Sequence, residues 1–190
     1  MEKNIPVGIS GRHVHVSQAD LETLFGDGYE LDTLKALSQP NQFAAQETVE
    51  IVTAKSSIKK VRILGPVRKQ TQVELALTDA IKLGLNPPVR DSGDLKNSPG
   101  LTIIGPQGRV VIPEGVICAA RHIHMTPDDA AHYQVKDKQL VSVEVEGERG
   151  ALFHHVLIRV HENFQLELHV DTDEGNAVML KTGDKVALVK

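Results

Sequence analysis

The chain has 190 residues and a formal net charge of −4, with 21 lysines and arginines against 25 aspartates and glutamates. This length suffices for one large or two small hydrophobic cores. The slightly acidic balance, without a run of basic residues, argues against nucleic acid or an anionic membrane as the main partner. Aromatic residues make up 3% of the chain, which also disfavours base stacking, so we expect a ligand held by charge and hydrogen bonds.

The first half of the chain is predicted to alternate strands with short helices. A strand over residues 7–16 leads to Ser17, a helix N-cap, and to a short helix that ends at Gly26. Residues 26–46 form an irregular excursion with a small helix near 34–37. Alternation of apolar and polar residues predicts the elements that follow: strands over 48–53, 60–64 and 72–77 and a helix over 78–83.

The second half has the same character. Residues 86–100 are predicted to form a loop because of their prolines and glycines, and residues 101–112 a hairpin. A helix is expected from Pro127 onward. Four further strands are predicted over residues 140–145, 153–160, 164–170 and 186–189. Many short strands with brief helices favour a mixed, mainly β fold over a doubly wound parallel sheet, and no glycine-rich nucleotide-binding fingerprint occurs.

The number of cysteines and the N-terminal residues indicate the cellular compartment. Cys118 is the one cysteine of the sequence, which excludes an intrachain disulfide and fits a reducing compartment. Its apolar neighbours favour a buried thiol over a nucleophile. The residues before Val7 are too few and too polar for a signal peptide, and no apolar run has membrane-spanning length. We therefore expect a cytoplasmic protein.

A short phrase occurs twice in the chain. Arg12-His13-Val14-His15-Val16-Ser17 is repeated as Arg121-His122-Ile123-His124-Met125-Thr126. On a strand, the two histidines of each phrase point to one face and can converge on an ion. Neutral imidazole is the commonest protein ligand for zinc. The repeat therefore predicts two metal sites, because two copies in the same context are harder to explain as exposed strand histidines.

The likeness between the halves extends beyond this phrase. Residues 61–64 match residues 156–159, and residues 72–75 match residues 165–168 in the same order. Residues 72–75 and residues 165–168 are each followed by a segment rich in threonine and aspartate. Matching phrases at unequal spacing indicate a duplicated unit with loops of different length. The expected fold is therefore two small mixed β-barrel domains.

A complete metal shell needs further ligands beyond the histidine pairs. In the first half, Glu74 is the carboxylate in an otherwise apolar strand, where a metal ion would compensate its burial; the alternative is an exposed strand residue. In the second half, Glu167 and His169 share one face, and His169 is the better ligand for zinc. The remaining histidines have no counterpart in the repeat and are expected at surfaces or edges: His132, His154, His155 and His161.

Arginines close to these ligands predict an anion site. Arg12 and Arg121 precede the two histidine pairs, and Arg62 and Arg68 share one face if the strand continues across Gly65-Pro66. A guanidinium beside a metal suits phosphate or carboxylate, because its planar donors bind bidentately. Surface salt bridges are the alternative.

Four phrases together closely resemble the phosphate propanoyltransferases of the propanediol-utilisation type, over almost the whole chain. They are Gly8-Ile9-Ser10-Gly11-Arg12-His13-Val14-His15-Val16-Ser17, Gly65-Pro66-Val67-Arg68, Arg121-His122-Ile123-His124-Met125-Thr126 and His169-Val170-Asp171-Thr172-Asp173-Glu174-Gly175-Asn176-Ala177. The resemblance implies a reversible phosphotransacylase, in which acyl-CoA and phosphate give acyl phosphate and free CoA. It implies propanoyl-CoA as substrate, with acetyl-CoA as an alternative, and a homodimer.

The resemblance also implies a fold of two β-barrel domains capped by short helices, with a two-zinc site between them. One zinc would be held by His13, His15 and Glu74, and the other by His122, His124 and His169. Arg68 would bind phosphate. Contacts to CoA are implied for Ser10, Lys35, Arg62, Leu64 and Asn176. The first strand would join the C-terminal barrel, which gives one domain of residues 1–11 plus 120–190 and another of residues 12–119.

Relatives found in bacterial microcompartments carry an amphipathic segment before the first strand. The few residues that precede Val7 are too short for such a helix, so we expect free cytoplasm rather than a microcompartment lumen. An amidohydrolase-type enzyme also uses His-x-His, but its barrel needs roughly 250 residues. A non-catalytic metal-binding or shell-associated structural protein stays open as an alternative.

Overall fold

The computed structural model describes residues 5–189, which form fifteen strands and four short helices. The strands are β1 (Ile5–Ser10), β2 (His13–His15), β3 (Thr33–Ala36), β4 (Phe43–Val52), β5 (Ser57–Gly65), β6 (Gln72–Glu74), β7 (Val89–Arg90), β8 (Leu101–Ile104), β9 (Arg109–Ile112), β10 (Val116–Ala119), β11 (His122–Met125), β12 (Leu140–Val145), β13 (Ala151–Val160), β14 (Glu167–Asp171) and β15 (Lys185–Val189). The helices are α1 (Gln18–Phe25), α2 (Leu77–Leu83), α3 (Pro127–Tyr133) and α4 (Thr172–Ala177). None of these four helices is long and apolar enough to cross a membrane.

The described chain divides into two compact units. The barrel unit contains the residues up to Gly11 and those from Ala120 onward. Its six strands close into a barrel in the order β1-β14-β11-β13-β12-β15. The core has side chains from every strand of this barrel, including the fully buried Ile5, Ile123, Ile158 and Leu168.

The sheet unit contains Arg12–Ala119. Its sheet has nine strands, with the path β7-β10-β6-β2-β5-β4-β8-β9 and with β3 paired to β4 beside it. This sheet is open within the described residues, and it packs over its own core of aliphatic side chains, among them Val14, Leu24, Ile51 and Ile63. The prediction of a mainly β fold with two barrel-like domains and short helices is confirmed.

The strand before each histidine phrase does not pair in the unit that contains that phrase. β1 runs directly into β2 in the sequence, but it pairs in parallel with β14 and antiparallel with β15 of the barrel unit. In the same way β10 precedes β11, yet it pairs in parallel with β6 of the sheet unit. The chain therefore exchanges one strand between its two halves, and it does so twice.

Strand registers show that the halves are duplicates. β2 lies between β6, antiparallel, and β5, parallel; β11 lies in the same way between β14 and β13. His13 faces Glu74, and His122 faces His169. Hence Glu74 corresponds to His169. The match of residues 72–75 with 165–168 was wrong by two positions, because a shift of two keeps every side chain on the same strand face.

Several predicted elements are also corrected. Residues 33–36 are the strand β3 rather than part of a helix, since pairing with β4 satisfies a backbone that a one-turn helix would leave largely unpaired. The predicted strand over residues 7–16 breaks between β1 and β2, which belong to different units. β5 ends at Gly65, before a proline that cannot donate to the ladder. The residues before Ile5, on which the expectations about targeting depend, lie outside the described range.

Other predictions are confirmed, and one helix was not predicted. α1 begins after Ser17, whose hydroxyl accepts from the backbone of Asp20, and Gly26 ends it. The hairpin of β8 and β9 and the helix from Pro127 also form as predicted. α4 follows β14 with a capping box formed by Asp171 and Glu174. The threonine and aspartate content of this segment had not been interpreted as a helix.

Candidate metal centres

The first candidate metal centre lies in the sheet unit and contains His13, His15 and Glu74. The histidines alternate with buried Val14 along β2, so both rings lie on one face, and β6 brings Glu74 opposite His13. One ligand atom from each residue lies within 4.8 Å of the other two. The Glu74 carboxylate reaches to 3.4 Å from Nε2 of His13 and to 3.7 Å from Nε2 of His15.

The second candidate centre lies in the barrel unit and contains His122, His124 and His169. β11 presents the first two on one face, and β14 places His169 opposite His122. One ligand atom from each of the three also lies within 4.8 Å of the others. The rings of His122 and His169 are parallel, with centroids 5.0 Å apart, and His124 meets His169 edge-on.

Hydrogen bonds leave ring nitrogens available for a metal in both centres. Nδ1 of His15 contacts the carbonyl of Leu64 at 3.1 Å, and Nδ1 of His122 contacts the carbonyl of Ala120 at 2.8 Å. A carbonyl only accepts, so Nδ1 carries the proton and Nε2 keeps its lone pair. Nδ1 of His124 is buried without a hydrogen bond among the described residues. Nε2 of His169 lies 2.9 Å from Oε2 of Glu167. These donor sets fit a divalent metal such as zinc.

The electrostatics favour the protonation states that bind metals. Burial, with His13 and Arg68 nearby, lowers the pKa of His15 to about 3. Burial, with His122, His169 and Arg159 nearby, lowers the pKa of His124 to about 2. Both imidazoles are therefore neutral at physiological pH, as metal coordination requires.

Glu74 is held in its ionised form. Burial alone would raise the pKa of its carboxyl, but His13, His15 and Arg68 together hold that pKa well below its usual range. The first centre therefore combines an ionised carboxylate with two imidazoles, which is a suitable ligand set for zinc.

Arg68 lies beside the first centre. Its Nη1 donates to Oγ of Ser92 at 2.8 Å, and Oγ of Ser92 donates to Oε1 of Glu74 at 3.2 Å. Arg68 also lines a pocket of about 240 Å³. The other residues of its lining are Pro40, Asn41, Gln42, Gly65 and Pro66. A guanidinium therefore stands next to a candidate metal site and at a cavity large enough for a small anion.

Comparison with known proteins identifies the family. The family model described as phosphate propanoyltransferase matches residues 6–181. The chain belongs to this family. A relative from Thermotoga maritima, named phosphate propanoyltransferase, is 62% identical over 190 residues, which are 100% of this chain and 90% of that protein.

More distant relatives carry the same name. The protein from Rhodopseudomonas palustris is 52% identical over 186 residues, 98% of this chain and 82% of its own. The protein from Salmonella typhimurium is 48% identical over 177 residues, 93% of this chain and 84% of its own. The resemblance found in the sequence is confirmed, and with it membership of a family of acyltransferases.

Two residues near the first centre were not predicted from the sequence. Ser92 lies in the segment that composition assigned to a loop. Gln72 donates from Nε2 to Oε1 of Glu74 at 2.5 Å and to Oγ of Ser92 at 2.9 Å. The backbone N–H of Gly93 donates to Oε1 of Gln72 at 2.7 Å. The position of Gln72, two before Glu74 on one strand face, was the available signal; Ser92 carried none.

Three arginines predicted near the ligands have partners within the chain. Arg12 donates to Asp79, and Arg121 lies 3.4 Å from Glu174. Arg62 donates to the backbone carbonyls of Ala45 and Gln46, at 3.0 and 2.7 Å. The structure thus pairs Arg12 and Arg121 with carboxylates of their own unit, which is the salt-bridge alternative for these two residues. Arg68 donates to the hydroxyl of Ser92, beside the first centre.

The residues predicted to contact CoA lie in both units. In the sheet unit, Lys35 and Leu64 both face Ala44, from opposite sides of β4, and Arg62 faces Thr48 on the same strand pair. In the barrel unit, Ser10 faces Asp171, and Asn176 is exposed near the end of α4. Their role in binding CoA stays a prediction.

Cys118 is buried in β10, as predicted. The other histidines of the described range take no part in a metal-binding group.

Proposed function

We propose that this protein is a phosphotransacylase that interconverts acyl-CoA and inorganic phosphate with acyl phosphate and CoA. Family membership and the names of the relatives support the activity, with propanoyl-CoA as the expected substrate and acetyl-CoA as a second candidate. The observation that carries the proposal is the hydrogen-bonded chain from Arg68 through Ser92 to Glu74. It links an anion-binding group to a candidate metal ligand.

We propose two zinc ions per chain, one held by His13, His15 and Glu74 and the other by His122, His124 and His169. The neutral imidazoles of His15 and His124 and the ionised Glu74 support this assignment. Bound zinc would supply Lewis-acid stabilisation of the negative charge on phosphate and on the reacting carbonyl.

Arg68 is proposed to bind and orient the phosphate. Its guanidinium offers paired donors to two phosphate oxygens and offsets their charge. Ser92 restrains the guanidinium through its bond to Nη1. The hydrogen bonds of Ser92 and Gln72 to Glu74 in turn keep that carboxylate in place, so the anion site and the metal site hold a common geometry.

The proposed reaction is a direct transfer. A phosphate oxygen forms a bond to the thioester carbonyl carbon, the C–S bond breaks, and CoA leaves as a thiolate that takes a proton from solvent. No acyl-enzyme is needed, and buried Cys118 takes no part. We further propose that Ser10, Lys35, Arg62, Leu64 and Asn176 contact CoA, and that the enzyme works as a homodimer in the cytoplasm.

Replacing Arg68 tests this function. CoA thiol release from acetyl-CoA and propanoyl-CoA is measured with and without phosphate, on protein of known zinc content. Arg68→Ala should lower phosphate-dependent release by about 100-fold or more, the order seen for losing one donor that stabilises the transition state, and it should keep its zinc. Arg68→Lys should retain part of the activity.

Arg90→Ala is the matched control, because Arg90 is a partly exposed arginine of the same unit, paired to Asp94. It should behave as the wild type does. Full activity of Arg68→Ala would contradict the assigned role. Release that does not depend on phosphate would mean a thioesterase, and no release from the zinc-loaded wild type would favour a non-catalytic metal-binding protein.

A further inference from the structure

Glu167 is a buried carboxylate beside the second candidate centre. It is 8% exposed and lies on β14, two residues before His169 and opposite His124. Its Oε2 lies 2.9 Å from Nε2 of His169. Glu167 is not one of the three clustered ligands of this centre, so its position calls for a separate explanation.

The space for this carboxylate comes from a glycine on the exchanged strand. Gly8 of β1 lies opposite His169. A Cβ at Gly8 would lie 2.8 Å from both Cδ and Oε1 of Glu167, closer than atoms can approach without a shift. Gly8 is absent from the glycines with positive φ, so its backbone conformation alone does not require glycine. The room left for Glu167 is the reason that the structure offers.

The other half of the duplication shows what this arrangement replaces. The strand registers equate Glu167 with Gln72 and His169 with Glu74. In the first centre, the amide of Gln72 donates to the carboxylate of Glu74. In the second centre a carboxylate, Glu167, takes the position of the Gln72 amide. An imidazole, His169, takes the position of the Glu74 carboxylate.

The two centres have the same net charge although their residues differ. When the imidazoles are neutral and the carboxylates ionised, as metal binding requires, each group of four side chains carries one negative charge. The groups are His13, His15, Glu74 and Gln72 in the first centre, and His122, His124, His169 and Glu167 in the second. Two divalent cations would then meet the same net charge from the protein, although one centre has a carboxylate ligand and the other has only imidazoles.

The geometry points to Glu167 as the charge-compensating and positioning residue of the second metal centre, in a space that Gly8 keeps open. This inference rests on the proposed two-metal function. A carboxylate that accepts from the free N–H of a metal-binding imidazole fixes the ring and raises its basicity. Because Glu167 faces Nε2 of His169, Nδ1 of His169 is the nitrogen that would bind the metal. Glu167 acts on the metal through its charge and through His169, and it does not touch the substrate.

Zinc affinity tests this role independently of transferase activity. Zinc is titrated into metal-free protein in competition with a chromophoric chelator. Glu167→Gln, which keeps the side-chain shape, should weaken one of the two zinc sites by about 10- to 100-fold, the usual effect of losing such a partner, and leave the other unchanged. Glu162→Gln, an exposed glutamate of the same unit, is the control and should bind both ions as the wild type does.

A double variant separates charge from simple damage. Glu167→Gln combined with His169→Glu gives the second centre the composition of the first, so it should recover much of the affinity that either single change loses. Gly8→Ala should weaken the same zinc site as Glu167→Gln.

Wild-type zinc affinity at both sites in Glu167→Gln would overturn the inference, and so would a double variant weaker than both single variants. Neither result depends on CoA release. Two zinc ions bound without phosphate-dependent release would contradict the proposed function and leave this role of Glu167 standing.

Discussion

Arg12 donates through Nη1 to both carboxylate oxygens of Asp79, at 3.0 and 3.2 Å. Its counterpart in the other half is the pair of Arg121 and Glu174. Asp79 comes five residues after Glu74, and Glu174 five residues after His169. In each half, therefore, an arginine at the start of a histidine strand is joined to the helix that follows the third candidate ligand.

Removing this ion pair should have a small effect on stability. Arg12 is 47% exposed, and an exposed pair contributes about 0.2 to 1 kcal/mol. Asp79→Asn should lower the free energy of unfolding by that amount in urea titrations and leave zinc content unchanged. Asp27→Asn, at an exposed aspartate of the same unit, is the control. A loss above about 2 kcal/mol, or a loss of zinc, would show that the pair holds the metal centre itself.

The exchange of β1 predicts where a mutation in it acts. Ile5 is fully buried in the core of the barrel unit. Ile5→Ala should cost about 2 to 5 kcal/mol. It should raise amide hydrogen exchange in β14 and β15, its neighbours in that barrel. Val111→Ala, at an exposed position of β9, should change stability by less than about 0.5 kcal/mol. Faster exchange confined to β2 and β5 would contradict the observed pairing.

The lowered histidine pKa values predict that the metal-free protein is sensitive to acid. An unfolded histidine titrates at about 6.5, whereas His15 and His124 titrate at about 3 and about 2 in the fold. Below pH 6.5 the unfolded state binds more protons, so stability should fall with pH by about 1.4 kcal/mol per unit for each histidine. The fall should continue until the pH approaches the folded-state values.

Glu74 acts in the same direction only below about pH 4.3, the pKa of an unfolded glutamate, because its carboxyl has a lowered pKa in the fold. It therefore adds nothing to the slope between pH 7 and 5. Urea titrations of chelator-treated protein between pH 7 and 5 measure the slope. His15→Gln should make the slope shallower. A stability that does not change over this range would contradict the assigned protonation states.

Cys118 should not be needed for transfer. Its thiol is buried in β10, and direct attack by phosphate needs no thiol nucleophile. Cys118→Ser should cost about 1 to 3 kcal/mol through the buried hydroxyl, while phosphate-dependent CoA release per folded molecule stays unchanged. Lost release from a variant that keeps its fold and its zinc would instead indicate an acyl-enzyme.

Metal ligands could be predicted from the sequence where residue types that bind metals recur with the two-residue period of a strand. The histidines of β2 and β11 were predictable because spacing of two on a strand determines their shared face. Glu74 was predictable as a carboxylate among apolar neighbours. The halves could be recognised as duplicates, but the register of residues 72–75 could not be set, since a shift by two residues preserves the alternating pattern.

Contacts between distant segments could not be predicted from the sequence pattern. Ser92 reaches Arg68 and Glu74 from a segment whose composition indicated only a loop. The break between β1 and β2 depends on partners more than a hundred residues away, Leu168 to Asp171. Residues 33–36 have a composition compatible with helix or strand, and pairing with β4 decided between them.

Phosphate-dependent CoA release by one preparation in three states tests the account most directly. The states are zinc-loaded protein, protein stripped by chelator, and stripped protein to which zinc is returned. We predict release from propanoyl-CoA that requires phosphate, is lost on stripping and returns with two zinc ions per chain. Undiminished phosphate-dependent release from fully stripped, folded protein would contradict the role assigned to the two histidine centres.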